Sequence, residues 1–217
     1  ARCSGRRADA ACWNRPGGLS RLIVLAVVIV VLLLPAACVH KPRTKTGQAD
    51  APPTEQVISV DGMKRTYLLY VPPSYTKSRP ASLLFAFHGG GGTSQSMVDL
   101  SQFDALADQY GFIVVYPQGI ERAWHGFGYP QFVDDKPVDG KIVDDLAFVR
   151  AMLQRIKSEY AIDSQRIYAA GLSLGGMFSY HLACRMSDTF AAIAVASSSM
   201  ITANCKPQSP VAVLHIH

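Results

Sequence analysis

The sequence predicts an α/β protein with a mostly parallel central sheet, opened by an antiparallel N-terminal hairpin. Three observations carry that expectation. Between residues 80 and 217, short apolar runs of strand length alternate with stretches of helical spacing, the pattern of strands joined by helical crossovers. Asp61-Gly62 separates two strand-like runs, Gln56 to Val60 and Lys64 to Val71, and Asp-Gly between such runs is a hairpin turn signal. A glycine-bracketed serine, Gly171-Leu172-Ser173-Leu174-Gly175-Gly176, sits between a strand-like run (Ile167 to Ala170) and a helix-compatible stretch from Met177 to Met186.

The elements follow in order. Residues 39–54 have linker composition, rich in Pro, Lys and Thr. Pro72-Pro73 ends the second hairpin strand. Ser82 to His88 is continuously apolar, as expected of a strand buried on both faces. Phe103, Leu106, Ala107 and Tyr110 have helical spacing closed by Gly111, and Ile113 to Tyr116 is a short buried strand. From Pro117 to Val143 the periodicity disappears. That stretch holds Trp124, His125, Phe127, Tyr129, Pro130 and Phe132, which either line a substrate cleft or pack among themselves as a surface loop. Leu146, Val149, Leu153, Ile156 and Tyr160 then mark an amphipathic helix, with Asp144 or Asp145 as its cap. Arg166 to Ala170, the helix after Gly176, Ala191 to Ala196 and Val211 to Ile216 complete the set, the last reading as a buried strand.

Charge is distributed unevenly. Residues 1–45 hold eight Lys/Arg and one Asp, a net charge of +7, and the remainder thirteen basic and fifteen acidic residues, a net charge of −2. The basic excess belongs with an export segment, and a footprint for nucleic acid is absent from the rest. Leu22 to Leu34 is an unbroken apolar run of thirteen residues, after Arg15 and Arg21 and before Pro35-Ala36-Ala37-Cys38. It is short for a membrane span and fits a signal-peptide core. Residues 1–38 therefore read as an export segment with Cys38 as a lipidated first residue, giving a cell-envelope lipoprotein. Secretory cleavage after Ala37, giving an extracellular protein, and an uncleaved anchor from Leu22 to Val39 are the alternatives. Residues 55–217 form the folded domain. Cys3 and Cys12 fall in the export segment, which leaves Cys184 and Cys205, expected to pair in an oxidising space, with two buried thiols as the alternative. No Cys-x-x-Cys or His-Glu-x-x-His occurs, so a protein metal site is not expected, and nothing else in the sequence implies a cofactor.

The glycine-bracketed serine carries chemistry. Gly-x-Ser-x-Gly between strand and helix is a tight turn that lifts the hydroxyl above the sheet, and small residues two positions away avoid neighbouring backbone. Upstream, a second apolar strand ends in His88-Gly89-Gly90-Gly91-Gly92. A polyglycine turn there lets backbone N–H groups face a substrate oxygen as charge develops on it. Together the two motifs imply serine hydrolase chemistry.

Further blocks appear in order: Tyr116-Pro117-x-Gly119 with Trp124, Val143-Asp144-Asp145-Leu146-x-Phe148, Arg166-Ile167-Tyr168 leading into the serine turn, and Leu182-Ala183-Cys184. With His88-Gly89-Gly90 they resemble the polyhydroxybutyrate depolymerase and feruloyl or acetylxylan esterase family of the α/β-hydrolase fold, over about residues 55–217. The resemblance implies Ser173 as nucleophile, with the N–H of Leu174 and of Gly90 (second choice Gly91) as oxyanion donors. It gives His88 a loop-holding role and implies an ester substrate, whether polyester, hydroxycinnamoyl- or acetyl-polysaccharide. It places the triad acid and histidine after the strand at Val211 to His217. His215 and His217 are therefore not assigned as the base, His125 and His181 also lack the expected position, and His181 reads as a helix-surface residue. On this reading the sequence is truncated at its C-terminus, lacks the end of the fold, and is expected to fold poorly, to be inactive, or both. A prolyl-oligopeptidase-like peptidase and a non-catalytic hydrolase-fold binding lipoprotein are the competing functions.

Overall fold

The computed structural model describes residues 51–126, 137–202 and 204–217. Cys38, the rest of the export segment expected at residues 1–38, and Phe127, Tyr129, Pro130 and Phe132 lie outside the described residues. Strand β1 (Thr54–Val60) turns into β2 (Met63–Tyr70) through Asp61 and Gly62. Both turn residues have positive φ, +51° and +71°, the requirement of the two-residue turn whose twist matches paired strands. The register runs from Val60 opposite Met63 to Thr54 opposite Leu69.

The remaining strands are β3 (Ala81–Phe87), β4 (Ile113–Pro117), β5 (Ile162–Leu172), β6 (Ala192–Ala196) and β7 (Ala212–Ile216). They order as β1-β2-β4-β3-β5-β6-β7. Only the β1–β2 and β2–β4 pairings are antiparallel; β4 through β7 run parallel. Helices α1 (Ser94–Ser101) and α2 (Phe103–Tyr110) cover one face over Ala86, Val114 and Tyr116. Helices α3 (Asp145–Glu159) and α4 (Leu174–Arg185) cover the other, where Phe148, Met152 and Phe178 pack on Leu83, Phe85 and Phe87. Alternate residues of β3 thus serve opposite faces, which is why its sequence is apolar throughout.

Two tyrosines tie α2 to the sheet. Tyr70 and Tyr116 donate to Asp108 at 2.5 Å and to Asp104 at 2.6 Å, one helical turn apart. Cys184, near the end of α4, is disulfide-bonded to Cys205 with Cα atoms 5.1 Å apart, fastening α4 to the segment after β6.

The structure adds to or departs from the sequence reading in three elements. Helix α1 had no apolar period to announce it, since Met97 is its one buried residue; it is started instead by a reciprocal cap between Thr93 and Ser96. Strand β7 is not buried. It lies at the sheet edge, bonded to β6, with Val213, Leu214 and Ile216 all more than half exposed. The cap of α3 is Asp144, which accepts from the Ala147 N–H at 2.9 Å. Asp145 is fully buried and does something else.

Candidate active site

Ser173 stands between β5 and α4 with φ 50° and ψ −116°, a conformation that costs a non-glycine residue about 1–3 kcal/mol. Surrounding bonds impose it. The Ser173 N–H donates to the Ala196 carbonyl at 2.9 Å, and the Ser173 carbonyl accepts from the Met177 N–H at 3.0 Å and the Ser198 hydroxyl at 2.9 Å. The turn is also too tight for side chains nearby. A Cβ on Gly171 would strike the Gly175 backbone, and one on Gly175 would strike the carbonyls of Phe87 and His88, all well inside 3.0 Å. The Ser173 side chain is exposed above the sheet. Leu174 is the first residue of α4, so its N–H has no intrahelical acceptor and sits at the positive end of the helix dipole.

The polyglycine turn lies against this elbow. Ideal Cβ positions on Gly89 and Gly90 fall 3.6 Å from the Ser173 Cβ and 3.5 Å from the Leu174 Cδ2. Two of the turn's amides are committed: Gly91 donates to the Arg122 carbonyl at 2.9 Å, and Gly92 to the Gly89 carbonyl at 3.0 Å. The second-choice oxyanion donor, Gly91, is thereby set aside, and Gly90 remains beside the serine.

His88 is a structural hub of the turn. Its Nδ1 lies 2.8 Å from the Gly89 carbonyl, and its Nε2 accepts from the Gly119 N–H at 3.1 Å. A ring that accepts at Nε2 carries its proton on Nδ1, so the imidazole is neutral, and burial holds its pKa below the usual histidine value. The His88 carbonyl accepts from the Trp124 indole N–H at 2.8 Å.

Trp124 and His125, candidates for a substrate cleft, are buried instead. Trp124 is fully covered, stacked on Phe178 and edge-on to Phe87 at centroid distances of 5.4 and 5.1 Å. His125 is 3% exposed and donates its backbone N–H to Asp145 Oδ2 at 2.6 Å. An indole gains more from aromatic packing and one buried acceptor than from lining an open loop. His181 likewise is not on the surface: it is 3% exposed beside Phe178, because α4 is wrapped on nearly every side.

Sequence reasoning missed Arg65. It occupies an inward position of β2, in the alternation with Tyr67 and Leu69, and pairs with Asp145 Oδ1 at 2.5 Å with both side chains almost wholly buried. Its guanidinium lies 3.8 Å over the Phe148 ring. Burial pushes the Asp145 carboxyl pKa up, opposed by Arg65 and the His125 N–H. A cation at an inward strand position was the available signal. Among the described residues, no three His, Cys, Asp or Glu side chains gather as a metal site, and no histidine ring is hydrogen-bonded to Ser173: His215, for one, meets the Tyr180 hydroxyl at 2.8 Å.

The buried histidines set an acid limit. Burial lowers His88, and lowers His181 to about 4, from an ordinary 6.5. Between those values the unfolded chain binds protons that the folded chain does not, so stability rises with pH and is lost on acidification. The thermal midpoint should fall steadily from pH 6.5 toward 4, and less steeply in His181→Leu; a flat profile contradicts the assignment.

The model of the family described as esterase PHB depolymerase matches residues 65–215, a span holding the serine elbow, the polyglycine turn and Asp145. The chain belongs to this esterase family. A bifunctional acetylxylan esterase/xylanase from Neocallimastix patriciarum is 31% identical over 156 residues, covering 72% of this chain and 21% of that protein. Feruloyl esterase C from Emericella nidulans is 29% identical over 172 residues, covering 76% of this chain and 57% of that one. A solved ferulic acid esterase superposes with a TM-score of 0.54 at 24% identity, covering 67% of this chain and 58% of the other. The chain therefore spans less than two thirds of the length of each of these proteins. The superposition shows the shared α/β-hydrolase fold.

Proposed function

We propose that the protein is a serine carboxylic ester hydrolase acting through an acyl-enzyme on Ser173. The observation that supports this best is an exposed hydroxyl, held at positive φ, with the N–H of Leu174 and the Gly90 turn beside it. Ser173 Oγ attacks the ester carbonyl as its proton passes to a general base. The carbonyl oxygen gains negative charge and is met by the Leu174 and Gly90 N–H groups. The alcohol leaves with a proton, and water then attacks the acyl-serine to release the acid and restore the hydroxyl. The general base is a histidine that the family pattern places downstream of β7, as it does the acid.

Substrates are esters borne on polymers, either hydroxycinnamoyl or acetyl groups on polysaccharide or a polyester, in line with the named activities of the relatives. The basic and apolar composition of residues 1–38 supports export, with Cys38 as a lipid attachment point and the cell envelope or exterior as location. Turnover of methyl ferulate, an acetylated xylan and a peptide anilide by the full-length protein tests the reading. We expect ester hydrolysis with the anilide at background. Faster anilide cleavage would instead favour a peptidase, and failure of a fluorophosphonate to label Ser173 would favour a binding protein.

A further inference from the structure

The polyglycine turn is gripped by one loop at three points. Gly119 donates to the His88 ring, Trp124 donates to the His88 carbonyl, and the Arg122 carbonyl receives the Gly91 N–H. This loop, residues 118–125, has little regular structure of its own beyond a short 3-10 turn at Ile120–Arg122, where Glu121 and Arg122 both have positive φ. Its position is therefore set from outside. Two anchors serve it from buried side chains: Asp145 Oδ2 accepts the His125 N–H at 2.6 Å, and Arg65 reaches the Gln118 carbonyl at 3.5 Å while its other contact clamps Asp145 Oδ1. A fully buried carboxylate is expensive to keep charged, and a helix start needs only its cap, which Asp144 supplies.

We infer that Asp145, held by Arg65, is a positioning residue for the oxyanion hole: it fixes the His125 backbone, and through Trp124 and His88 it sets where the Gly90 N–H points. The inference rests on the serine esterase reading above. Asp145 is fully buried and bonds to Arg65 and the His125 N–H, not to Ser173. Its effect is on the placement of a donor that matters most when the carbonyl oxygen becomes negative, so it should appear in turnover and in binding of tetrahedral adducts rather than in substrate affinity.

The test compares two double variants of the full-length protein that both remove the buried charges. Arg65→Met/Asp145→Asn keeps a side-chain oxygen for the His125 N–H, whereas Arg65→Met/Asp145→Leu does not. With an aryl ester, kcat of the leucine variant should fall at least about tenfold below that of the asparagine variant with KM little changed, a donor misplaced by a fraction of an ångström being enough. Inhibition by phenylboronic acid, which forms an anionic tetrahedral adduct on a serine hydroxyl, should weaken by a similar factor. Equal kcat and equal boronate inhibition in the two folded variants overturns the inference. Should the leucine variant not fold, Trp124→Phe, which keeps the stacked ring and removes the N–H to His88, decides by the same two readouts: a drop in both supports the relay and no change overturns it. Ser173→Ala run alongside separates the two levels, since turnover surviving there fails the esterase reading itself, while its loss together with equal double variants fails the positioning role alone.

Discussion

Replacing Ser173 with alanine should abolish ester turnover in the full-length protein, by on the order of 10⁴- to 10⁶-fold in kcat, because nucleophile and base act as a unit. What remains is the modest acceleration due to binding and the oxyanion donors. Stability should barely change. The backbone bonds that hold position 173, to Ala196, Met177 and Ser198, do not involve its hydroxyl, and the side chain is exposed. The measurement is steady-state hydrolysis of an aryl ester beside a thermal melt. Turnover within about tenfold of the parent, with an unchanged melt, would remove Ser173 from the chemistry, since a triad nucleophile is worth far more than that.

Gly175→Ala should be strongly destabilising. Its Cβ would meet the carbonyls of Phe87 and His88, both backbone atoms at the end of the central strand β3, so no side chain can rotate aside. Relief requires moving β3 away from α4, and with it the polyglycine turn. Overpacking of this kind costs about 3 kcal/mol or more, a fall in melting temperature on the order of 8 °C for a domain of this size. Gly90→Ala provides the contrast. Its nearest neighbours would be Leu174 side-chain atoms at 3.5 and 3.7 Å, ordinary contact, so its melt should match the parent. Similar melts for the two variants would show that the elbow is not packed as described.

Much of the fold was readable because its signals are local. The Asp61-Gly62 turn, the glycines around Ser173 and the Gly111 helix stop each express a steric rule that operates within a few residues. Strand β3 and helix α3 announced themselves by length and period. Helix α1 did not, because a short helix with one buried residue has no stripe, and its Thr93–Ser96 cap was the sole signal. On α4, polarity misled: the sequence offered His181 to solvent, yet every residue from Leu174 to Cys184 except Met177 is buried, and a helix covered on all sides has no polar face to reveal.

The catalytic candidates Ser173, Leu174 and Gly90 came from motifs, with Gly90 placed ahead of Gly91, but the physical reason for that order did not. It depends on the Arg122 carbonyl, some thirty residues away, taking the Gly91 N–H. Trp124, His125 and Asp145 were visible as residues and wrongly placed as roles, since aromatic loops and acidic helix starts look alike whether they face water or the core. The sequence by itself determined the elbow, the hairpin and the alternation of strands and helices, because short-range sterics and burial period suffice for these. The tertiary structure alone decided which polar groups are enclosed together, above all Arg65 with Asp145 across 80 residues, because their partners are chosen by the way the sheet and α3 close over them.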